Sequence, residues 1–242
     1  NIAVNKTGGM TRTVDVTATG FSAATGFLTI TIGTFRLSSA AAVTCTPYAG
    51  ASTIAANARL WLNSTTSTMN LNGVVSLFGE LRMSAGTMNV GTAANQGISS
   101  NGGRLVITGG TMNVAGRYDR PNSTMLSRFT ISAGTLILAT IGSTSTTLAP
   151  FHMDVPGSQF TQTGGTIIIR REGGTGAQNL GFNCTGGNIS VVTGGTLQIG
   201  DASTPVTQTM LINTVAPVGN FLTNSANATA QLLTNPLVVI QN

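Results

Sequence analysis

The residues best suited to binding or chemistry lie in two segments that contain Pro, Gly and Asn. In the first segment, residues 115–125, four such residues are consecutive: Arg117, Tyr118, Asp119 and Arg120. Such a group can contact a glycan or a neighbouring protein, although a loop in which Arg and Asp satisfy each other is the simpler interpretation. Because loops often carry function, these four residues are our first ligand-binding candidates.

The second segment, residues 143–158, contains His152 and Asp154. On an extended chain these two side chains point the same way, which resembles half of a catalytic pair. No activated serine or second carboxylate accompanies them. The carboxylates are instead spread over nearly the whole chain: Asp15, Glu80, Asp119, Asp154, Glu172 and Asp201. We therefore predict no catalytic residues and no enzyme activity.

Two further residue types could bind ligands. The only histidine, His152, has no partner at metal-ligand spacing, so we predict no metal and no cofactor. The only tryptophan, Trp61, lies between Leu60 and Leu62, and alternation places either Trp61 or both leucines outward. An outward indole is a platform on which sugars stack, whereas an indole that caps an apolar patch is the simpler interpretation. Trp61 is the fifth binding candidate.

These candidates are carried by a repeated unit. Its clearest copy is LRMSAGTMNV from Leu81, which returns as LVITGGTMNV and FTISAGTLIL. Each copy has two short apolar alternations joined by a corner of small residues, and the corner glycines Gly86, Gly110 and Gly134 are 24 residues apart. The corner recurs at Gly165 and again at Gly187 or Gly195. Strand units of fixed period with glycine corners are typical of a solenoid.

One such unit cannot bury its apolar side alone, so successive units must stack through parallel strands about 4.8 Å apart. We predict an all-β, right-handed parallel β-helix of about ten coils of roughly 24 residues, a rod about 45 Å long. Residues 1–242 form one segment, with irregular coils in 1–73, regular coils in 74–200 and irregular coils in 201–242. Loops 115–125 and 143–158 should project from the rod. The chain shows no polar caps and no initiating Met, so we expect a fragment or mature segment of a longer array.

The 24-residue period predicts specific neighbours. Glu80, Arg104 and Arg128 should form one outward column, with Glu80 and Arg104 as an exposed pair worth about 0 to 1 kcal/mol. Asn89 should lie above Asn113. Gln162 should point into the core and require a backbone partner.

The cysteines have a structural interpretation in this register. Cys184 aligns with the inward residues Met83, Ile107 and Ile131, so we predict a buried free thiol. Cys45 is 139 residues away, which in a rod places it beyond disulfide reach.

Composition narrows the range of partners. Charged residues make up 7% of the chain, against about 25% in ordinary soluble domains. The net charge of +5 comes from scattered arginines, and no basic cluster with interleaved aromatic residues is apparent, so we predict no nucleic-acid partner. No apolar run of about 18 residues occurs, so we predict no membrane span.

The phrases SAGTMNVGT, TGGTMNVAG, SAGTLILAT and VTGGTLQIGD resemble repeats of large bacterial surface proteins. They are similar to autotransporter passenger repeats, and more so to the giant repetitive adhesins exported by the type 9 secretion route, some of which act in gliding motility. The resemblance covers roughly residues 27–200. It implies an extracellular location at the cell surface and adhesion to surface glycans or abiotic surfaces. The implied partners are neighbouring segments of the same long chain, with export and anchoring machinery contacted through other regions.

We therefore expect a non-enzymatic structural or adhesive segment of a secreted cell-surface filament. The alternative is a glycan-active β-helix, either a polysaccharide lyase or a tailspike-like depolymerase. A third interpretation, an ice-binding face, depends on a column of threonines: Thr87, Thr111, Thr135 and Thr166. It is weakened by Ile137 and Ile168, where a second rank of threonines should stand.

Overall fold

The computed structural model describes residues 1–122, 124–174, 180–187 and 189–240. Two sheets account for almost all of the regular structure, and the described residues contain no α-helix. A 3-10 turn occupies Gly9–Thr11. The first sheet has thirteen strands: β1 (Ile2–Asn5), β2 (Thr13–Val16), β3 (Leu28–Leu37), β4 (Thr44–Tyr48), β6 (Ala58–Leu71), β8 (Glu80–Val90), β10 (Arg104–Val114), β12 (Arg128–Leu138), β14 (Gln159–Gln162), β15 (Thr166–Ile169), β17 (Ile189–Val192), β18 (Thr196–Ile199) and β20 (Asn220–Thr223). The second sheet has eight: β5 (Ser52–Ile54), β7 (Val75–Leu77), β9 (Ile98–Ser100), β11 (Tyr118–Asp119), β13 (Phe151–His152), β16 (Leu180–Cys184), β19 (Gln208–Thr214) and β21 (Ala228–Leu232).

All pairings between these strands are parallel. The main path of the first sheet runs β1-β3-β6-β8-β10-β12-β15-β18-β20, and the second runs from β5 to β21 in chain order. Each strand therefore pairs with its counterpart in the next repeat rather than with a hairpin partner. The fold is all-β and built on parallel sheets, consistent with an all-β parallel solenoid.

The core lies between the two sheets. Leu81, Met83, Met88 and Val90 are buried, as alternation in the first repeat predicts. Farther along the stack the core is aromatic, with rings in contact between layers and between sheets: Tyr118, Phe129, Phe151, Phe160 and Phe182. Stacked pairs of this kind add to the stabilisation that burial of the same rings provides.

The corner glycines are required by backbone conformation and by space. Gly86, Gly110 and Gly134 have φ values of +83°, +79° and +79°, which side-chain-bearing residues rarely adopt. A Cβ on Gly110 would lie 2.6 Å from the carbonyl oxygen of Gly86, and one on Gly134 would lie 2.6 Å from that of Gly110. The three glycines lie over one another, as the repeat predicts. Of the two candidates for the later corner, Gly195 has the positive φ.

The predicted register is confirmed in the regular layers. Arg104 pairs with Glu80 on one side and with Arg128 on the other, and the Asn113 amide donates to Asn89 Oδ1 at 2.9 Å. The threonine column is also aligned from layer to layer: Thr87, Thr111, Thr135 and Thr166. The predicted exposure of Glu80 is wrong, because this side chain is only 2% exposed and lies between Arg59, at 2.7 Å, and Arg104, at 2.6 Å.

Gln162 occupies the predicted core position. It pairs with Ile131 and is fully buried, and its Nε2 donates to the Thr196 carbonyl at 3.3 Å. The amide nitrogen thus has a backbone partner, whereas the buried Oε1 has none among the residues that the structure describes.

Two predictions about the irregular segments are wrong. Segments 115–125 and 143–158 are not simply projecting loops, because they contain β11 and β13 of the second sheet. Cys184 belongs to β16 of that same sheet rather than to the column of Met83. It is nevertheless a buried free thiol, as is Cys45.

Candidate functional site

Charged residues from two neighbouring layers meet on the outer side of the second sheet. Tyr118 pairs with Phe151, so the next residues along these strands, Asp119 and His152, are also adjacent. We call the group at this position the Arg–Asp–His cluster, and it comprises Arg117, Asp119, Arg120, His152 and Asp154. Short strands hold its members, because β11 and β13 have two residues each.

Arg117 is held by three acceptors from different layers. Its Nε donates to Asp119 Oδ2 at 2.8 Å, and its Nη1 donates to Asn95 Oδ1 at 2.8 Å and to Ser143 Oγ at 2.9 Å. Hydrogen bonds between a guanidinium and a carboxylate are about twice as strong as neutral ones. Arg117 therefore joins three layers as well as lining the outer surface.

Arg120 forms a two-pronged contact with Asp154. Its Nε donates to Oδ1, and its Nη2 donates to Oδ2 at 2.5 Å. His152 Nε2 lies 3.1 Å from the same Oδ2, while the Ala149 N–H donates to His152 Nδ1 at 3.1 Å. Because Nδ1 accepts a hydrogen bond, the neutral imidazole carries its proton on Nε2, facing Asp154.

Burial and neighbouring charges shift the pKa values of His152, Asp119 and Asp154 in different ways. Burial lowers the pKa of His152, and the nearby Asp154 opposes this shift only in part. Burial raises the pKa of Asp119, against the opposing effect of its hydrogen bond from Arg117. Burial acts in the same sense on Asp154, but contacts with Arg120 and His152 outweigh it and bring the pKa to about 2. At neutral pH the cluster therefore has a neutral histidine beside an ionised Asp154.

A cleft of about 220 Å³ opens beside the cluster and is lined by Ser99, Arg117, Asp119 and Arg120, with Pro121 and Leu148 at its sides. It offers arginine donors and one carboxylate of raised pKa to a polar ligand. This combination can bind a hydroxylated or anionic group by directional hydrogen bonds. Asp154 is a poor proton acceptor at neutral pH, because its pKa is far below 7.

Three of the four candidates in segment 115–125 are brought together here: Arg117, Asp119 and Arg120. The prediction for Tyr118 is wrong, because alternation along β11 turns it inward. Its ring is fully buried against Phe129 and Phe151, and its hydroxyl donates to the Arg128 carbonyl at 3.2 Å.

Sequence reasoning left other contributors out of the cluster. His152 and Asp154 were considered only as a separate pair, and the structure joins them to Arg120. Asn95 and Ser143 were missed, because they reach Arg117 from positions 22 and 26 residues away. Their residue types are common in this chain, so no local signal distinguishes them.

Trp61 faces outward, while Leu60 and Leu62 are buried. Arg36 and Arg82, its partners in the two adjacent layers, each place a guanidinium carbon 4.9 Å from the ring centroid. The indole Nε1 donates to Ser84 Oγ at 2.9 Å. The ring is thus held between two cations and is not the open platform that the sequence suggested. A sugar could stack on it only by displacing a guanidinium.

The structure offers little to a metal ion or a thiol reagent. Among the described residues, no three His, Cys, Asp or Glu side chains are grouped closely enough to hold a metal. Burial raises the pKa of the Cys45 and Cys184 thiols to about 12 in each case, so both are poor nucleophiles at neutral pH. In the described part of the chain, no helix has the length and apolar character needed to cross a membrane.

Comparison with known proteins adds no identification. No protein-family model, no curated protein and no solved structure matches this chain.

Proposed function

We propose that this chain is a non-enzymatic structural and adhesive segment of a secreted bacterial cell-surface filament. In this proposal it winds as a right-handed parallel β-helix of about ten coils of roughly 24 residues. The observation that carries the proposal is the continuous parallel pairing, which passes through nine strands on the main path of the first sheet and eight strands of the second. A ladder of this kind ties each layer to the next by backbone hydrogen bonds along the whole stack.

The charged side chains support a structural role, because most carboxylates are paired with arginine. The pairs are Asp15–Arg36, Glu80–Arg59, Asp119–Arg117, Asp154–Arg120 and Asp201–Arg170. The sixth carboxylate, Glu172, accepts the Thr209 backbone N–H at 2.7 Å. Groups that an enzyme would direct at a substrate are here used mainly to join one layer to another.

Adhesion would act through repetition. A stiff stack presents outward-facing side chains in every layer, and weak contacts that act together give a much higher overall affinity. We propose surface glycans or abiotic surfaces as targets, with the Arg–Asp–His cluster as one contact site. Neighbouring segments of the same long chain would continue the filament, and its division into irregular and regular coils stays a prediction.

Adhesion and shape can be tested on the purified chain. We expect beads coated with it to resist detachment by flow from glass and from glycan-coated slides, and Arg117→Gln to weaken attachment to the glycan. Arg171→Gln, which removes the same charge elsewhere, should leave attachment unchanged. Small-angle scattering should give a rod about 45 Å long. Beads that detach as readily as uncoated ones would overturn the adhesive function.

Location is tested separately. Antibodies against the chain should label intact bacterial cells that produce it. Labelling that appears only after the cells are permeabilised would overturn the proposed surface location.

One observation favours a second function, a glycan-active enzyme. Asp119, whose pKa is raised, lines a cleft together with two arginines, and a shifted carboxyl group in a cleft is typical of a general acid or base. Reducing-sugar and unsaturated-product assays on acidic polysaccharides would detect hydrolysis or elimination. Turnover that Asp119→Asn abolishes would establish this function in place of the structural one.

A further inference from the structure

Arginines that are far apart in the sequence lie together on the outer side of the first sheet. The strands β3, β6, β8, β10 and β12 are consecutive neighbours, and each contributes one outward arginine to what we call the arginine face: Arg36, Arg59, Arg82, Arg104 and Arg128. The sequence predicts no basic cluster, because about twenty residues or more separate each arginine from the next. Because these strands pair in parallel, their arginines lie in neighbouring layers on the same side of the sheet.

The arginine face carries most of the net charge of the molecule. Its five arginines are accompanied by two carboxylates, Asp15 and Glu80, which leaves a formal charge of +3. Lys6 and Arg12, near the start of the chain, supply the rest of the total of +5. The four remaining arginines and the four remaining carboxylates cancel one another. An anionic partner would therefore be attracted to this half of the molecule.

The guanidinium groups of this face differ in how far they are available to a ligand. Glu80 is buried beneath the arginines, so the cations and not the carboxylate form the outer surface. Arg82 places its guanidinium carbon 4.9 Å from the Trp61 ring centroid and lies 3.8 Å from Glu80, and its Nε is buried. Arg128 is exposed and lies outside the ion pairs found in the described ranges.

A groove of about 270 Å³ runs along the arginine face. Its walls include Arg104, whose side chain is 50% exposed, together with Arg128 and Gln159. Phe78, which is 43% exposed, stands at the same groove. Gly79, Gly102 and Gly103 also line the groove, as does Glu80, whose charge is paired with Arg59 and Arg104. An exposed ring beside arginines and an amide combines an apolar surface for the C–H side of a sugar with donors for its acidic and hydroxyl groups.

We propose that this groove binds a linear anionic polysaccharide, with the acidic groups on Arg104 and Arg128 and a sugar ring against Phe78. Arg104 and Arg128 are register partners in adjacent strands, about 4.8 Å apart, which is close to the length of one sugar unit in an extended chain. The polymer would lie across these two layers and place one acidic group on each arginine. This site deepens the proposed adhesive function by naming its ligand class, and rests on that function for its biological role.

Single-stranded nucleic acid fits the groove less well. Proteins that bind single strands stack successive bases on several aromatic rings. Here Phe78 is the one aromatic residue that lines the groove, and both faces of Trp61 are covered by arginines.

The test is equilibrium binding of the purified chain to polygalacturonate and heparin, with dextran as the neutral polymer and single-stranded DNA as the polyanion without sugar acids. We expect polygalacturonate or heparin to bind, with an affinity that falls as salt rises. Arg128→Gln should weaken binding about tenfold, the loss expected for one charged hydrogen-bonded contact. Phe78→Ser should weaken it while leaving its salt dependence unchanged. Both side chains are exposed, so these variants should fold.

Arg171→Gln is the matched control, because it removes one positive charge outside the arginine face. Binding to neither acidic polysaccharide would overturn the proposal, as would equal effects of Arg128→Gln and Arg171→Gln. Single-stranded DNA that binds as tightly as the polysaccharides would also overturn it. If wild-type beads adhere under flow and free polygalacturonate does not compete, the adhesive function stands and this site fails. If the polymer binds but beads do not adhere, the site stands and the adhesive function fails.

Discussion

Asp119 and Asp154 belong to one cluster, yet their surroundings shift their pKa values in opposite directions. Burial dominates at Asp119, whereas Asp154 is in contact with both Arg120 and His152. Asp15 and Glu80 differ in burial and in the number of arginines around them. Asp15 contacts Arg36 near the surface, while Glu80 is buried among arginines of three strands. At the scale of the residue, the position of a carboxylate in the stack therefore determines how deeply it is buried and how many arginines contact it.

His152 gives a prediction about pH. Because burial lowers its pKa in the folded state, the unfolded chain binds the proton first as pH falls below the ordinary value of 6.5. The free energy of unfolding should therefore fall below pH 6.5, by at most about 1.4 kcal/mol per pH unit for one proton. Urea unfolding of wild type and His152→Gln across this range measures the slope. We expect the variant to have the smaller slope, and equal slopes would exclude the histidine as the cause.

At lower pH the free energy of unfolding should fall for a second reason, the protonation of Asp154. The pKa of Asp154 in the folded state is about 2, below its ordinary value of 3.8. Its contribution is therefore complete above the ordinary value and is lost as pH falls through about 2. The loss due to Asp154 begins near pH 3.8, whereas the loss due to His152 begins at the higher pH of about 6.5.

The burial of Glu80 gives a prediction about stability. Glu80→Gln removes the charge that Arg59, Arg82 and Arg104 share, and should lower the free energy of unfolding by about 3 kcal/mol. Asp15→Asn, at a more exposed pair, should cost less than about 1 kcal/mol. Denaturant unfolding of wild type and both variants at low and high salt measures these losses. High salt should reduce the loss of unfolding free energy caused by Asp15→Asn more than the loss caused by Glu80→Gln. Equal losses in the two variants would contradict the prediction that burial strengthens the Glu80 ion pairs.

At the scale of the element, alternation predicted the repeated strands of the first sheet and missed β11 and β13 of the second. The unit from Leu81 to Val90 is long enough for its pattern to be recognised, and its inward residues are buried. Strands β11 and β13 have two residues each, which is too short for any alternation to show. Tyr118 and Phe151 were therefore assigned to loops, although they pair with each other in the core.

The candidate site was only partly predictable for the same reason. Arg117, Asp119 and Arg120 are neighbours in the sequence and could be recognised as a group. Their contacts with Asp154 and His152 depend on a repeat of irregular length, since Arg120 and Asp154 are 34 residues apart. Of the arginine face, the 24-residue period predicts that Arg104 and Arg128 are neighbours, whereas the places of Arg36, Arg59 and Arg82 depend on the register of the other strands.

The glycine corner gives a prediction at this scale. Gly110→Ala would place a Cβ 2.6 Å from the Gly86 carbonyl oxygen at a φ of +79°, so the backbone must move. We expect a loss of about 3 kcal/mol or more, at or above the top of the range for a strained residue. Gly102→Ala has a similar φ of +83° but nothing within 4 Å, and should cost about 1 kcal/mol. Thermal and urea unfolding would rank the two, and similar losses would show that layer contact adds nothing to the φ strain.

At the scale of the whole molecule, charge and apolar surface are distributed unequally along the stack. The excess of positive charge lies in the first half, on and near the arginine face. Exposed large apolar residues are instead numerous after residue 200: Val206, Val215, Leu222, Leu232, Leu233, Val238 and Val239. The first half of the stack is therefore positively charged, whereas its other end exposes apolar side chains. We expect self-association to favour the apolar end.

The last strands of the two sheets, β20 and β21, each pair on one side only. Leu232 is 50% exposed, whereas its partner in the preceding layer, Ile212, is 1% exposed. An apolar strand edge with unpaired backbone groups is a template for pairing with another strand. We predict that the purified 242-residue chain self-associates through this end as its concentration rises, and that Leu232→Lys prevents it. Sedimentation velocity over a range of concentrations measures the association. Ile141→Lys changes an equally prominent residue earlier in the chain, 46% exposed, and should associate like wild type. If Ile141→Lys also prevents self-association, as Leu232→Lys is expected to, the contact between molecules is not confined to the end of the stack.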